Sequence, residues 1–572
     1  MKAASVIRKP RKETSVQTAV FVTFESEFAP LGGLAAVMKV LPKRMALAHK
    51  GECLTVTPFF RDITKCHPNL YHQIIPTGIK IQVPFGKKVE SCQVFQHQDQ
   101  HGFKTILLES DNFFNAPCDC GDPPGHKTPC NPYLNPKNPG QLLQDALFFC
   151  RAVPEALAGL GYTQDIVFYL QDWETAAIAL TGKENPKILS ATYLLTLHNP
   201  YDKPLSQAAL SKISKKRLRG PTVLSKMISL LDGPLSTVSE NFADELVKDP
   251  LHTRVYAPHL QRAFKKRRII GINNGLFGRM DFPQATLEAA QQEDFSGIHQ
   301  EKANRRRDLM VVMKEYQPRQ AWGSLNFKQF DGPIFLLFGR DDPRQKGYDV
   351  AAAAIAKIPK GLAKYVFTPI PGDEGIKGLQ FLKKLAKKRP GEVKVFPFRM
   401  KKGYLELQRG ASFLVMCSLY EPFGGATEGY AVGTPVVARA TGGLVQQVSP
   451  YPSPCLTPEV KNLALPYHGA LGDPSGFLFR EPGLKPKDIA AGWRKIVKCG
   501  YWPGGNRVSD REGTVLFDAM VDQAAQALSD AIDMYAQNQR EYASMIYNGF
   551  KILDRFSWDL SVQGYQSLLN SS

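Results

Sequence analysis

Apolar residues along this chain fall into short runs separated by polar stretches of helical period. TAVFVTF (18–24) is rich in β-branched and aromatic residues and bounded by polar positions, the pattern of a buried strand. After a loop containing Gly32-Gly33, Leu34, Val37, Met38, Leu41 and Met45 recur at three and four, one face of a helix. Pro42 within that pattern predicts a kink or a new turn. ECLTVTPF (52–59), TILLES (105–110), IVFYL (166–170) and TYLLTLH (192–198) read as further strands, and 139–160 reads as a helix between TILLES and IVFYL. Such alternation predicts a parallel sheet covered on both faces.

The pattern restarts near residue 332. GPIFLLFG (332–339), KYVFTPI (364–370), EVKVFPF (392–398), ASFLVMCS (411–418) and TPVVARA (434–440) are strand-like, with helical stretches at 349–358 and 376–388. The segment 279–330 is polar and charged, and its HQEKANRRRDLMVVMKEY stretch reads as a surface helix. From about 510 the chain reads as wholly helical. The fold class expected is therefore α/β, with two doubly wound, Rossmann-like domains. The expected boundaries are 1–278, an interdomain segment 279–330, 331–545, and a terminal helix 546–572. Ligands of such sheets bind beyond the strand C-termini, so a cleft between the halves is the expected site.

Composition narrows this picture. With 43% hydrophobic and 22% charged residues, the chain is neither disordered nor a small disulfide scaffold. No run approaches 18 apolar residues, so no membrane helix is expected. The basic first 17 residues lack a following signal-peptide core, and the chain is read as cytoplasmic. Lys and Arg exceed Asp and Glu by 19, which suits anionic partners such as nucleotides. The basic runs 213–220, 264–269 and 304–308 have no interleaved aromatics, so neither nucleic acid nor membrane is expected as a partner. Most cysteines stand singly in apolar segments. Cys118, Cys120, His126 and Cys130 instead share a Pro/Gly-rich loop, where zinc binding, a Cys118–Cys130 or Cys120–Cys130 disulfide, or free thiols are the readings.

The sharpest chemistry lies in SLYEPFGGATEGYAVGTPVVARATGGL (418–444). A strand ends at Cys417-Ser418, a loop carries Glu421, and Gly424-Gly425 opens a helix whose first N–H groups and dipole can hold a phosphate. Thr441-Gly442-Gly443 forms a second turn with further backbone donors. The alternative is two ordinary strand–helix turns whose glycines serve steric needs.

These motifs resemble those of the retaining GT-B glycosyltransferases, above all the glycogen and starch synthases. The similar segments run in order along the chain: SEFAPLGGLAAVMKVLP (26–42), NPYLNPKNPGQLLQDALFFCRAVPEAL (131–157), QDWETA (171–176), TLHN (196–199), LSTVSENFADEL (235–246), GINNGLF (271–277), FGRDDPRQKGYDV (338–350), YEPFGGATEGYAVGTPVV, TGGL, and RFSWDLSVQGY (555–565). The resemblance implies a GT-B fold whose terminal helix, with Trp558, crosses back to the first domain. It implies transfer of glucose from ADP-glucose or UDP-glucose to the non-reducing end of an α-1,4-glucan, with retention. Arg340 and Lys346 match the cations facing the leaving diphosphate, a role that stabilises developing charge without a metal. His198 and Asp172 match residues at the transferred sugar, and Glu421 a ligand of its hydroxyls. Gly32, Gly33, Asn274, Gly424, Gly425, Thr427, Glu428, Thr441, Gly442 and Gly443 complete the implied donor site. No cofactor and no metal is implied.

Four departures stand out. The family's Lys two residues before Gly-Gly is Pro30 here, which removes one cation and fixes φ. The first His of the Asp-Trp motif is Gln171. Glu421 and Glu428 are separated by six residues rather than seven. The Cys/His loop has no counterpart in the family pattern. Two rival functions remain open: a GT-B enzyme with a small sugar or sugar-phosphate acceptor, and a weakly active glucan-binding relative.

Overall fold

The computed structural model describes residues 17–118, 130–134, 138, 140–372, 374–400, 402–499 and 507–570. Two sheets organise it. The first contains β1 (Thr18–Val22), β2 (Cys53–Pro58), β3 (Ile74–Phe85), β4 (Lys88–Gln98), β5 (Lys104–Glu109), β6 (Ile166–Gln171), β7 (Ala191–Leu197), β8 (Leu235–Thr237) and β9 (Ile269–Gly271). Their spatial order is β3-β4-β5-β2-β1-β6-β7-β8-β9. β1 lies parallel between β2 and β6, Val20 opposite Leu54 and Phe168. This central strand is buried on both faces, which is why it reads as one apolar run rather than an alternation.

The expectation of an all-parallel sheet needs correction at one edge. β3 and β4 form an antiparallel hairpin, and β4 runs antiparallel to β5. β3 alternates partly covered and exposed residues through Ile79, Ile81 and Val83, as an edge strand with one solvated face does.

The second sheet contains β10 (Trp322–Gly323), β11 (Ile334–Arg340), β12 (Lys364–Ile370), β13 (Val393–Val395), β14 (Phe413–Met416), β15 (Val436–Arg439) and β16 (Gly476–Phe479). Its order is β10-β13-β12-β11-β14-β15-β16, parallel except for β10. Within each sheet the parallel strands end on one edge, which places the loops after β6, β7, β11, β14 and β15 along the cleft.

The helix Gly33–Ala48 runs through Pro42 without a break, where the sequence predicts a kink or a new turn. Its apolar stripe meets the last helix, Trp558–Asn570, through Trp558, Val562, Tyr565 and Leu568. Each such side chain contributes roughly 2 kcal/mol when buried. The Trp558 indole also donates to the Leu276 carbonyl at 2.8 Å, and the Ser561 hydroxyl to that of Asn273 at 2.6 Å. The chain thus returns to the first sheet from Trp558 onward. Residues 546–553 still belong to the helix Gln539–Leu553, which packs in the second domain.

The charge pattern of Ser296–Glu315 predicts a surface helix, yet Lys302 and Arg305 on it are buried. The Lys302 ammonium donates to the carbonyls of Arg409 (2.7 Å) and Ala411 (2.9 Å) and to the Thr434 hydroxyl (3.2 Å). Arg305 donates to the Val432 and Asp281 carbonyls. This basic run holds loops of the second domain rather than an external anion. Among the described residues, no helix is long and apolar enough to cross a membrane.

Candidate active site

β6 ends at Gln171, and Asp172 turns the chain with φ at +58°, a left-handed conformation Asp tolerates better than most residues. That turn aims the carboxylate sideways at the end of β7. Asp172 accepts the His198 backbone N–H at 2.6 Å and the Asn199 side-chain amide at 3.0 Å. Gln171 fixes the ring of His198. Its amide nitrogen donates to the Tyr169 carbonyl (3.0 Å), so its oxygen faces the imidazole Nε2 at 2.7 Å. His198 therefore carries its proton on Nε2, and Nδ1 keeps a lone pair. Burial pushes the imidazole down to about 3, so the ring is neutral at ordinary pH. Such a ring can accept a sugar hydroxyl and cannot act as a ready acid.

Two further carboxylates, Glu25 and Glu174, neither singled out from the sequence, share this floor. Burial holds the carboxyls of Asp172 and Glu174 above the usual range, the charge of Asp172 raises Glu174 further, and the charge of Glu25 adds to both. Glu25 follows β1 by three residues and is buried. Its Oε1 accepts the backbone N–H groups of Leu31 (2.8 Å), Gly32 and Ala35 (3.4 Å), and its Oε2 accepts the Tyr133 hydroxyl (3.0 Å). This one carboxylate shapes the Gly32-Gly33 loop. Gly32 and Gly33 themselves are exposed, and Gly33 opens the helix Gly33–Ala48. Pro30 is half-buried beside them. Lys39 is exposed, whereas Lys43 pairs with Glu27 (3.2 Å) and Asp99 (3.1 Å) rather than facing solvent freely.

Across the cleft, Arg340 is the last residue of β11, and Lys346 lies on the loop beyond it. The Lys346 ammonium donates to Glu421 Oε2 at 2.6 Å, and the Ser418 hydroxyl donates to the same oxygen at 2.8 Å. Lys346, Glu421 and Glu428 form one charged group. Burial and Glu421 raise the Glu428 carboxyl, while Lys346 opposes them. Gly424 has φ +96°, and a side chain there would press on Leu444 and Glu421. Gly425 precedes the short helix Ala426–Ala431. Asn274 and Thr427 are buried, and Asn274 Oδ1 and Thr427 Oγ1 have no hydrogen-bond partner among the described residues. Native folds rarely leave such atoms unmatched, and a polar ligand would satisfy them.

The second turn is used differently from the expectation. The Gly442 N–H donates to Glu245 Oε1 of the first domain at 2.8 Å, the Thr441 hydroxyl donates to Glu245 Oε2 at 3.1 Å, and the Gly443 N–H donates to the Glu421 carbonyl at 3.0 Å. A Cβ at Gly442 would lie 1.8 Å from the Glu421 oxygen, and one at Gly443 2.1 Å from that of Phe423. Close backbone approach thus accounts for both glycines.

These contacts hold the two domains together over the cleft. Asn241 donates to the Gly442 carbonyl at 3.0 Å, and Gln446 to Asn273 at 3.2 Å. Arg480 bridges to Asp249 and Glu245. Between the loops after β7 and β11, the Tyr201 hydroxyl donates to Asp342 at 3.2 Å, the Tyr256 hydroxyl to the Arg344 carbonyl at 2.9 Å, and the rings of Tyr201 and Tyr256 meet Tyr420. The loop after β7, which carries His198, therefore abuts the loop after β11, which carries Lys346. Of the cysteine loop, Cys120 and His126 lie outside the described residues, and Cys118 is disulfide-bonded to Cys130.

Residues 19–265 match the family model of the starch synthase catalytic domain, and residues 325–461 that of glycosyl transferases group 1. A glycogen synthase from Fervidobacterium nodosum is 24% identical over 452 residues, 74% of this chain and 83% of that protein. One from Geotalea daltonii is 26% identical over 457 residues, 75% of this chain and 84% of that protein. The catalytic domain of starch synthase IV from Arabidopsis thaliana, solved with ADP and acarbose, has the same fold. It aligns with a TM-score of 0.65 at 16% identity over 97% of this chain and 99% of that one.

Proposed function

We propose that this chain, which belongs to the GT-B glycosyltransferases of the glycogen and starch synthase family, transfers glucose from ADP-glucose or UDP-glucose to the non-reducing end of an α-1,4-glucan with retention. The observation that carries the reading is the pairing of two chemistries across one cleft. A neutral His198 beside Asp172 faces a cationic loop with Arg340, Lys346 and Glu421. The starch synthase IV likeness, in a structure holding ADP and acarbose, supports a nucleotide and an oligosaccharide as the two occupants of such a fold.

The chemistry is governed by charge. As the glycosidic bond to phosphate breaks, negative charge grows on the diphosphate and positive charge on the sugar ring. Arg340 and Lys346 stabilise the first, so no metal is needed for that charge. Donor phosphate would pull Lys346 partly away from Glu421, leaving that carboxylate free to accept sugar hydroxyls. Asn274 and Thr427 offer their unmatched oxygens to the same ligand. His198 Nδ1 accepts a hydroxyl of the transferred glucose, held in place by Gln171. The acceptor hydroxyl attacks from the face the leaving phosphate occupies, and a phosphate oxygen takes its proton.

The test is nucleotide release from ADP-glucose and UDP-glucose with glycogen, with glucose 6-phosphate or fructose 6-phosphate, and with no acceptor. Release that depends on glycogen supports the reading. Release that depends only on a sugar phosphate would replace it with the small-acceptor enzyme. Glycogen binding without release would identify a weakly active relative.

A further inference from the structure

Three cysteines meet outside the cleft. Cys66 ends the short helix Arg61–Lys65, and its Sγ lies 2.9 Å from that of Cys118, which is disulfide-bonded to Cys130. All three sulfurs lie within 4.8 Å of one another, and all three residues are half-buried, so a dithiol in solution can reach them. The chain's other described cysteines differ. Cys53, Cys92, Cys150, Cys417 and Cys455 are buried, and burial pushes each thiol up, Cys92 and Cys417 to about 12, away from the reactive thiolate. Cys499 is the remaining half-buried thiol and lies against the Asp510 carbonyl instead.

The residues just after Cys130 tie this cluster to the cleft. Asn131 Oδ1 accepts the Tyr133 N–H at 2.9 Å, the Tyr133 ring stacks on Phe24 at 5.9 Å, and its hydroxyl reaches Glu25. Glu25 is the carboxylate that holds the amides of Leu31, Gly32 and Ala35. Only the short step from Cys130 to Tyr133 therefore separates a disulfide sulfur from the clamp on the glycine loop. Phe60, which precedes the Cys66 helix, packs edge-on against the same Phe24 at 5.3 Å.

We propose that Cys66, Cys118 and Cys130 form a thiol–disulfide switch that sets how firmly Tyr133 and Glu25 hold the Gly32-Gly33 loop. In the exchange step the Cys66 thiolate attacks Cys118 Sγ. A Cys66–Cys118 bond forms, the Cys118–Cys130 bond breaks, and Cys130 leaves as a thiolate that takes a proton from water, balancing the one Cys66 gave up. No net oxidation occurs. In full reduction an external dithiol supplies two electrons and two protons and becomes a disulfide, leaving the cysteine thiols free. Either event unties residue 130 from residue 118 and loosens Tyr133. In a reducing compartment such a disulfide would be transient and would sense the thiol pool. That the loosened loop weakens donor binding rests on the function proposed above; the switch itself does not.

The test uses the full chain. Peptide mapping under non-reducing conditions tracks the disulfides after diamide or a limiting amount of dithiothreitol. Hydrogen exchange tracks the amides of residues 31–35. The expected result is Cys118–Cys130 in oxidised wild type, a Cys66–Cys118 linkage accumulating in Cys130→Ser, and none in Cys66→Ser. On reducing the wild type, exchange at 31–35 should accelerate about tenfold, while the amides of β6 stay unchanged. Equal exchange in the oxidised and reduced wild type overturns the proposal, and this comparison needs no variant to fold. So does a linkage through Cys120 in place of Cys66, or a stoichiometric zinc ion with all thiols reduced. None of these measurements reads glucosyl transfer, so failure of the switch and failure of the function are separate results.

Discussion

Lys346→Ala should do two separable things. Its ammonium lies 2.6 Å from Glu421, whose side chain is only 7% exposed. Removing the cation leaves a buried carboxylate with only neutral donors, the Ser418 hydroxyl at 2.8 Å and the Gln345 amide at 3.5 Å. Breaking a fully buried pair costs about 3–5 kcal/mol. The Lys346 side chain is 22% exposed, so water screens part of the loss, and about 2 kcal/mol is the expected cost. For a unit the size of the second domain, that lowers the melting temperature by about 4–8 °C. Catalysis should fall at least about 100-fold, or about 3 kcal/mol, because the diphosphate loses a charge contact. The double variant Lys346→Ala/Glu421→Gln removes the stranded charge. It should recover half or more of the lost stability while transfer stays at or below the single variant's rate. The assays are thermal unfolding without ligand and initial rates at saturating glycogen. If Glu421→Gln restores no stability in the Lys346→Ala background, the ion pair does not hold the loop as argued. If Lys346→Ala turns over near the normal rate, its phosphate role is wrong.

The same structure sets four other outcomes. Gly275→Ala places a Cβ 2.5 Å from the Trp558 backbone nitrogen and ring, so it should detach the terminal helix and lower stability by about 3 kcal/mol, read by denaturant unfolding. Burial pushes the Asp145 carboxyl up to about 7. Its folded form binds a proton that the unfolded form has released, so this group makes stability fall between about pH 4 and pH 7. Asp145→Asn should flatten that fall by a few kcal/mol at most, measured by unfolding across the range. Pro30→Lys should leave transfer unchanged or raise it modestly, and activity that appears only in this variant would mark the natural chain as a binding relative. Gln171→Leu frees the His198 ring and should cut kcat about tenfold with little change in donor KM, by initial-rate kinetics.

The central strands are legible because burial on both faces leaves no alternation, only an apolar run such as TAVFV or IFLLFG. The β3–β4 hairpin escapes that criterion although IKIQV alternates plainly, because a half-solvated strand contains no long apolar run. β8 and β9 are three residues each, too short for any period. The places of Asp172, His198 and Arg340 at strand ends are legible because a motif and a strand terminus coincide there, whereas Glu421 lies on the loop five residues beyond β14. Glu25 and Glu245 are not. Glu25 accepts backbone N–H groups six to ten residues ahead, and Glu245 accepts one that lies 197 residues ahead together with the Thr441 hydroxyl; neither the local turn nor the docking of the second domain is written in the residues around them. The glycines of Thr441-Gly442-Gly443 read as donors to a ligand, but sequence cannot distinguish a glycine needed for a ligand's approach from one needed for a neighbouring carbonyl's. Lys302 and Arg305 mislead for a related reason, since a charged helix face looks solvated until its carbonyl partners are in place.

Movement of glucose from a nucleotide to a growing α-1,4-glucan can be followed by label. The most direct measurement incubates the purified chain with glycogen and ADP-glucose or UDP-glucose carrying radiolabelled glucose, then treats the washed polymer with an exo-acting α-1,4-specific amylase. Label should enter the polymer from at least one donor and be released almost completely by that enzyme, and Lys346→Ala should lose the incorporation. Label that stays on a small soluble sugar, or a polymer that remains unlabelled with both donors, would contradict transfer to the glucan.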